Sequence, residues 1–268
     1  MGGDFFDRFP DWTTAADQTL GYSIRELCLD DPRDELGQTR FTQPALFVVN
    51  AMTWRAREQE GRPQPDFLAG HSLGEFNALL AAGVFDFTTG LALVQRRGRI
   101  MSAVRGGGMA AIIGLTPERI EAVLAESEAG RRLDVANFNS FDQTVIAGPK
   151  DDIDAVRPAF KVAGGRAIPL NVSAPFHSRY MRDAQEEFTA YLRGFALEAP
   201  RIAVVANVTG RPYDPGGVGD TLARQIGSSV RWLDSVLFML DRGVADVEEV
   251  GPGQVLTKLV AQIRRQRA

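Results

Sequence analysis

Along this chain, stretches with apolar residues every three to four positions alternate with short, densely apolar runs, the patterns of helix and strand. The first segment, up to about residue 105, opens with one helix expected near Phe5–Leu20 and a turn-rich stretch at Asp30, Asp31 and Pro32. TQPALFVVNAMTWRAREQE predicts a helix begun through Thr42 and Pro44, with Ala45, Val48, Val49 and Met52 on one face. After the loop GRPQP comes DFLAG, a short apolar run suited to a buried parallel strand. LGEFNALLAAGVF aligns Leu73, Phe76, Leu79 and Leu80 on a helical face. DFTTGLALVQRRGRIMSAV predicts another helix, capped by Asp86 or Thr88.

From about Gly106 to Ser173 the pattern changes to GMAAIIGL (strand), TPERIEAVLAES (helix capped by Thr116), LDVANFNS and QTVIAGP (two strands), KDDIDAVRPAFKVAG (helix) and GRAIPLNVS (strand). Pro158 is expected to kink or break its helix. The order β-α-β-β-α-β is the split pattern of a ferredoxin-like unit. The remainder predicts a helix in PFHSRYMRDAQEEFTAYLRGF, a strand at IAVVANVTG and helix in two pieces over DTLARQIGSSVRWLDSVLFMLDRG. VADVEEVGPG is expected as a further strand, and VLTKLVAQIRRQ as a closing helix.

Composition narrows the class. The 268 residues are 44% hydrophobic and 24% charged, an ordinary soluble balance. No apolar run is long enough to span a bilayer, and MGGDFFDRFPDW lacks the features of a signal peptide. A net charge of −4 with no basic block argues against nucleic acid. Cys28 is the only cysteine, has no metal-ligand spacing around it and is expected as a buried packing residue, so a cytoplasmic setting is expected. No metal site and no membrane contact are expected, and a monomer is the simplest state.

One stretch carries chemistry. In AGHSLGEF, an apolar run is followed by G-x-S-x-G and then a helical pattern, the arrangement of a nucleophile elbow. Gly70 and Gly74 leave room around a tight turn. Ser72 would stand over the next helix, whose first N–H groups favour negative charge, with the Leu73 N–H as oxyanion donor. The alternative is a serine in an ordinary turn. A serine nucleophile needs a base, and the chain has only His71 and His177. His71 adjoins the serine and should point elsewhere, so elimination leaves His177, against the alternative of a structural histidine.

GHSLGE, QRRGRIM, NFNS with QTVIAG, APFH, QIGSSVRW and EVGPGQVLTKL, in that order, closely resemble malonyl-CoA:acyl-carrier-protein transacylases and the acyltransferase domains of polyketide synthases. The resemblance spans nearly the whole chain and looks like that of a discrete, trans-acting acyltransferase. It implies an α/β fold, with a hydrolase-like large subdomain (residues 1–105 and 174–268) around a central, mostly parallel sheet. The ferredoxin-like small subdomain (106–173) is inserted in it. It also implies transfer of malonyl from malonyl-CoA, through an ester on Ser72, to the phosphopantetheine thiol of an acyl carrier protein, with no other cofactor. The backbone carbonyl of Gln225 matches the group that orients the imidazole, and Arg97 the arginine that binds the malonyl carboxylate. A solvated helix face is the alternative for Arg97.

Asn137 and Asn139 match a polar pair lining the cleft, or are turn formers at a strand end. Phe176 matches the malonyl-selective pattern, or only packs in the core. His71 and Gln43, in GHSLGE and QTRFTQ, are also carried over as substrate-binding positions. The chain departs from the family at its start. MGGDFFDRFP aligns just after a strand and an F-P-G-Q-G-S-Q loop whose first Gln donates to the oxyanion, so one central strand and one donor are expected to be missing. A start at an internal Met and a shortened, feeble enzyme are both compatible with that. Two other functions compete with malonyl transfer: hydrolysis of acyl-carrier thioesters, and carrier binding without useful catalysis.

Overall fold

The structure, a computed structural model, describes residues 1–267. Its fold is mixed α/β. The single N-terminal helix expected is two, α1 (Phe5–Arg8) and α2 (Pro10–Leu20), broken at Phe9 with φ −124° and ψ 64°. Pro10 is the reason, because the ring disfavours helical geometry in the residue before it while suiting the first helical position itself. A short α3 (Ile24–Leu29), capped by Ser23 on the Glu26 N–H, follows. It is too short to show a period. Helix α4 (Thr39–Gln59) begins before Thr42 and contains Pro44. There the proline forgoes only the bond to the Arg40 carbonyl, one turn into the helix.

Strand β1 (Phe67–Ala69) leads through the serine turn into α5 (Gly74–Ala81), and α6 (Phe87–Ala103) follows, capped by Asp86 at 2.7 Å from the Thr89 N–H. Next come β2 (Gly107–Ile113), α7 (Pro117–Ala125), a one-turn α8 (Glu128–Arg131), β3 (Asp134–Ser140), β4 (Gln143–Pro149), α9 (Lys150–Val162) and β5 (Arg166–Pro169). Helix α9 runs unbroken through Pro158, which is exposed, so the unbonded Asp154 carbonyl faces water. The chain closes with α10 (Arg182–Leu192), β6 (Ala203–Ala206), β7 (Arg211–Pro212), α11 (Val218–Arg224), α12 (Trp232–Leu240) and α13 (Val255–Arg267).

The strands form two sheets. In the order β3-β4-β2-β5 every neighbouring pair is antiparallel. Ile112, Ile146, Ile120, Ile153 and Phe160 make the core between this sheet and α7–α9. The other sheet, β1-β6-β7, holds one parallel pair, Phe67–Ala69 on Ala203–Val205, and one short antiparallel pair. Its side chains alternate between two cores, as the pleat requires. Leu68, Val204 and Ala206 pack toward α4–α6, and Phe67, Ala69 and Val205 toward α12 and α13.

The strand expected over 244–253 is not formed. A strand needs a neighbour for its backbone groups, and this segment lies across an open cleft of about 1150 Å³ from the unpaired edge of β1. Beside the serine turn, β3 is tied to the segment that leads into α12, where the Phe138 N–H bonds the Val230 carbonyl and the Val230 N–H bonds the Ala136 carbonyl.

Candidate active site

Ser72 and Asn207 follow the carboxyl ends of the parallel strands β1 and β6, where open α/β sheets place their sites. Ser72 has φ +49°, an uncommon conformation for a residue with a side chain. The turn is tight because Gly70 lies against the start of α5. A Cβ on Gly70 would stand 2.0 Å from the Gly74 carbonyl group. Gly74 itself is not crowded, since a Cβ there meets nothing within 4 Å. The steric requirement of the motif therefore falls on its first glycine alone. Asn207 clamps the turn, accepting from the Ser72 N–H at 2.7 Å and donating to the Gly70 carbonyl at 2.6 Å.

The structure brings Ser72, His177, Gln225 and Arg97 together. Ser72 Oγ lies 2.8 Å from His177 Nε2. His177 Nδ1 faces the carbonyls of Gln225 at 2.9 Å and Ser228 at 3.2 Å. Carbonyls only accept, so the proton sits on Nδ1 and the Nε2 lone pair faces the serine hydroxyl. Burial, with the charge of Arg97 next, pushes this imidazole down to about 3, so it is neutral. His177 also has a positive φ, +59°. His71 points away from the hydroxyl, its Nε2 bonded to Asn139 Oδ1 at 2.9 Å, and burial lowers its pKa.

Arg97 is 1% exposed and has no carboxylate within ion-pair distance among the described residues. Its Nη1 donates to Gln43 Oε1 at 2.5 Å, and its Nη2 to Gln225 Oε1 at 2.9 Å and Ser72 Oγ at 3.0 Å. Its Nε is buried without a partner. Burial lowers its pKa to about 10, with Glu75 opposing, so it stays charged near neutrality. A desolvated guanidinium with a free N–H beside a serine hydroxyl can receive a carboxylate whose other end is at that hydroxyl.

Gln43 thus holds the arginine. Asn137 is buried on β3 and makes no hydrogen bond to Ser72, His177 or Arg97. Phe176 is half-buried between the helical core and Met109, Ala111 and Val145. Leu73 is the residue before α5, and its N–H makes none of the described backbone hydrogen bonds. The 1150 Å³ cleft is lined in part by His71, Leu73 and Gly74, and a second hollow of about 790 Å³ opens at His177, Ser228 and Phe138. The described residues include no cluster suited to a metal ion and no helix long and apolar enough to cross a membrane. Cys28 is a buried free thiol.

Glu75, Asn207 and Tyr213, which lie behind the serine, were not marked out as functional by the sequence. A lone acid in the first turn of an apolar helix, and an Asn closing an apolar strand, were the available signals.

A serine presented by a strand–turn–helix elbow of an α/β fold, with an imidazole on its hydroxyl, defines the class of serine-dependent acyl-group enzymes. The acyl transferase domain family matches residues 7–267, and the chain belongs to that family and is an acyltransferase. It is 47% identical over 268 residues, 99% of this chain and 92% of the other, to a polyketide biosynthesis malonyl CoA-acyl carrier protein transacylase, BaeC, of Bacillus velezensis. The fold matches a crystal structure of a malonyl CoA-acyl carrier protein transacylase from Burkholderia pseudomallei. There the TM-score is 0.95 and the identity 53%, over 99% of this chain and 93% of that one. It also matches a malonyl-transacylase in complex with a type II polyketide synthase acyl-carrier protein, with TM-score 0.93 and 37% identity over 99% of this chain and 88% of that one.

Proposed function

We propose that this protein moves a malonyl group from malonyl-CoA, by way of an ester on Ser72, to the phosphopantetheine thiol of an acyl carrier protein in polyketide or fatty acid biosynthesis. The observation that carries this is the unpaired, buried Arg97 guanidinium 3.0 Å from a serine hydroxyl that is itself 2.8 Å from a neutral imidazole. Ser72 Oγ attacks the thioester carbon while His177 Nε2 takes its proton and the Gln225 carbonyl holds the Nδ1–H. The tetrahedral oxygen draws on the Leu73 N–H. The C–S bond then breaks, and the departing sulfur recovers the proton from His177. In the second half the carrier thiol gives His177 its proton and attacks the ester, and Ser72 Oγ leaves with that proton.

Arg97 takes the malonyl carboxylate with Nε and Nη2, exchanging the serine hydroxyl for a carboxylate oxygen. Its burial without an acid speaks for transfer of a charged acyl group, and against a hydrolase of neutral acyl groups, which would keep a desolvated cation for no purpose. Phe176 is assigned to crowding out branched acyl groups, Asn139 to fixing His71 at the cleft wall, and Asn137 to the same wall. The strand order β3-β4-β2-β5 supports reading residues 106–173 as a ferredoxin-like insertion. Residues 1–105 and 174–268 then form the hydrolase-like part. A cytoplasmic monomer is the state proposed.

Labelled malonyl-CoA should label the wild type and leave Ser72→Ala unlabelled. Equal labelling of both would overturn the proposal. Free malonate in place of malonyl-carrier would favour hydrolysis, and carrier binding with no acyl-serine would leave only a docking module.

A further inference from the structure

Glu75 is fully buried in the first turn of α5, three residues beyond Ser72. Its Oε1 accepts from the Asn207 N–H at 3.0 Å and the Tyr213 hydroxyl at 2.6 Å, and its Oε2 accepts from the side-chain amide of Gln225. No hydrogen bond joins it to Ser72 Oγ or His177, so it has no part in the proton transfers. Two of its partners do reach the reacting residues. Gln225 donates to the Ser72 carbonyl at 2.8 Å, accepts from Arg97 at 2.9 Å, and orients His177 through its main-chain carbonyl. Asn207 holds the Ser72 N–H and the Gly70 carbonyl.

Polarity fixes this network. Arg97 only donates and the Ser72 carbonyl only accepts, so the Gln225 amide can face only one way. Its NH2 then requires a pure acceptor at the place of Glu75 Oε2. Both Ser72 and His177 hold positive φ, conformations that persist only where the surroundings over-determine them.

We propose that Glu75 is the positioning residue of the acyl-transfer site. It fixes through Gln225 the carbonyl that orients His177, and through Asn207 the strained backbone of Ser72. The proposal rests on the acyl-serine chemistry proposed above. Burial raises the Glu75 carboxyl to about 7, while its bonds to Tyr213, Asn207 and Gln225 and the charge of Arg97 hold it down. The acid is thus kept at a site that disfavours its charge, where three donors need an acceptor.

Glu75→Gln preserves size but forces a donor against a donor, either at the Gln225 amide or at the Asn207 N–H. The test measures Ser72 acylation in single turnover, per folded molecule, with malonyl-CoA and with acetyl-CoA, beside wild type and Ser72→Ala. Acylation by both donors should fall about 10²-fold, the scale of a small misplacement of reacting groups. KM should be unchanged, while the melting temperature falls by a few degrees for the unmatched pair of donors. Glu75→Asp keeps the charge but is too short to hold Gln225 and Asn207 together, and should fall in between.

Wild-type rates per folded molecule in Glu75→Gln, or in Glu75→Asp where only that variant folds, would overturn the proposal. A loss confined to malonyl-CoA would do the same, because Glu75 would then serve Arg97 alone. Failure of both variants to fold would assign Glu75 to the core and overturn it equally. An unacylated wild type would instead overturn the acyl-transfer reading itself.

Discussion

Replacing Arg97 with Met should separate activity from stability. The guanidinium is 1% exposed, and burial lowers its pKa to about 10 even with Glu75 opposing, a net cost of about 3 kcal/mol for keeping it charged. Met removes that cost and fills most of the volume beside Phe76, whose ring lies 5.5 Å from the guanidinium carbon. It also leaves Gln43 Oε1 and Gln225 Oε1 without their donor. Each orphaned acceptor costs about 1–3 kcal/mol. The opposing effects nearly cancel, so the melting temperature should move by only a few degrees in either direction. Acylation should respond very differently. Two charge-assisted hydrogen bonds to a carboxylate, at about 1.5–3 kcal/mol each, correspond to about 10²–10⁴-fold in kcat/KM for malonyl-CoA. Acetyl-CoA has no carboxylate and should lose far less, only what the freed Gln225 side chain costs in holding His177. The assay is acyl-enzyme formation with each thioester, followed by transfer to a carrier protein, alongside calorimetry. An unchanged ratio of malonyl to acetyl acylation would refute the reasoning, as would a stability loss of many kcal/mol.

Gly70→Ala should destabilise the fold by about 3 kcal/mol or more, because its methyl meets backbone at 2.0 Å. Gly74→Ala should be neutral or gain as much as about 1 kcal/mol in denaturant melts. Equal effects of the two substitutions would contradict the turn geometry. Because His177 is pushed down to about 3 on folding, the unfolded chain takes up a proton near pH 6.5 that the folded chain refuses. Its stabilising contribution is therefore present above pH 6.5 and is lost as pH falls from there toward about 3. Glu75, raised to about 7, acts in the opposite direction but does so in wild type and variant alike. His177→Asn should lose less stability than wild type between pH 6.5 and 4.5, and parallel stability–pH curves would count against the buried neutral ring.

Much of the elements' outline was legible because helix and strand periods are local properties. Helices α5, α6 and α7, with their Asp86 and Thr116 caps, and strands β2–β4 follow from spacing and capping side chains alone. Helices α3 and α8 were too short to show a period, and Pro10 divided a pattern that periodicity read as one helix. The segment 244–253 has a strand's composition but no strand beside it, and composition does not record whether a partner is present. Ser72 was legible because its elbow is a local motif, and His177 because the chain offers so few imidazoles. Glu75, Asn207 and Tyr213 were not, because their roles depend on contacts across more than 130 positions of chain.

The order of amino acids, through short-range sterics and periodicity, determined where the chain turns, which faces are apolar and that a serine stands on a strained corner. Tertiary structure alone decided that Arg97 is a buried cation without an acid, that Gln43 grips it, and that Gln225 joins base, serine and arginine at once. Burial and hydrogen-bond polarity are properties of neighbours in space, and those neighbours come from opposite ends of the polypeptide.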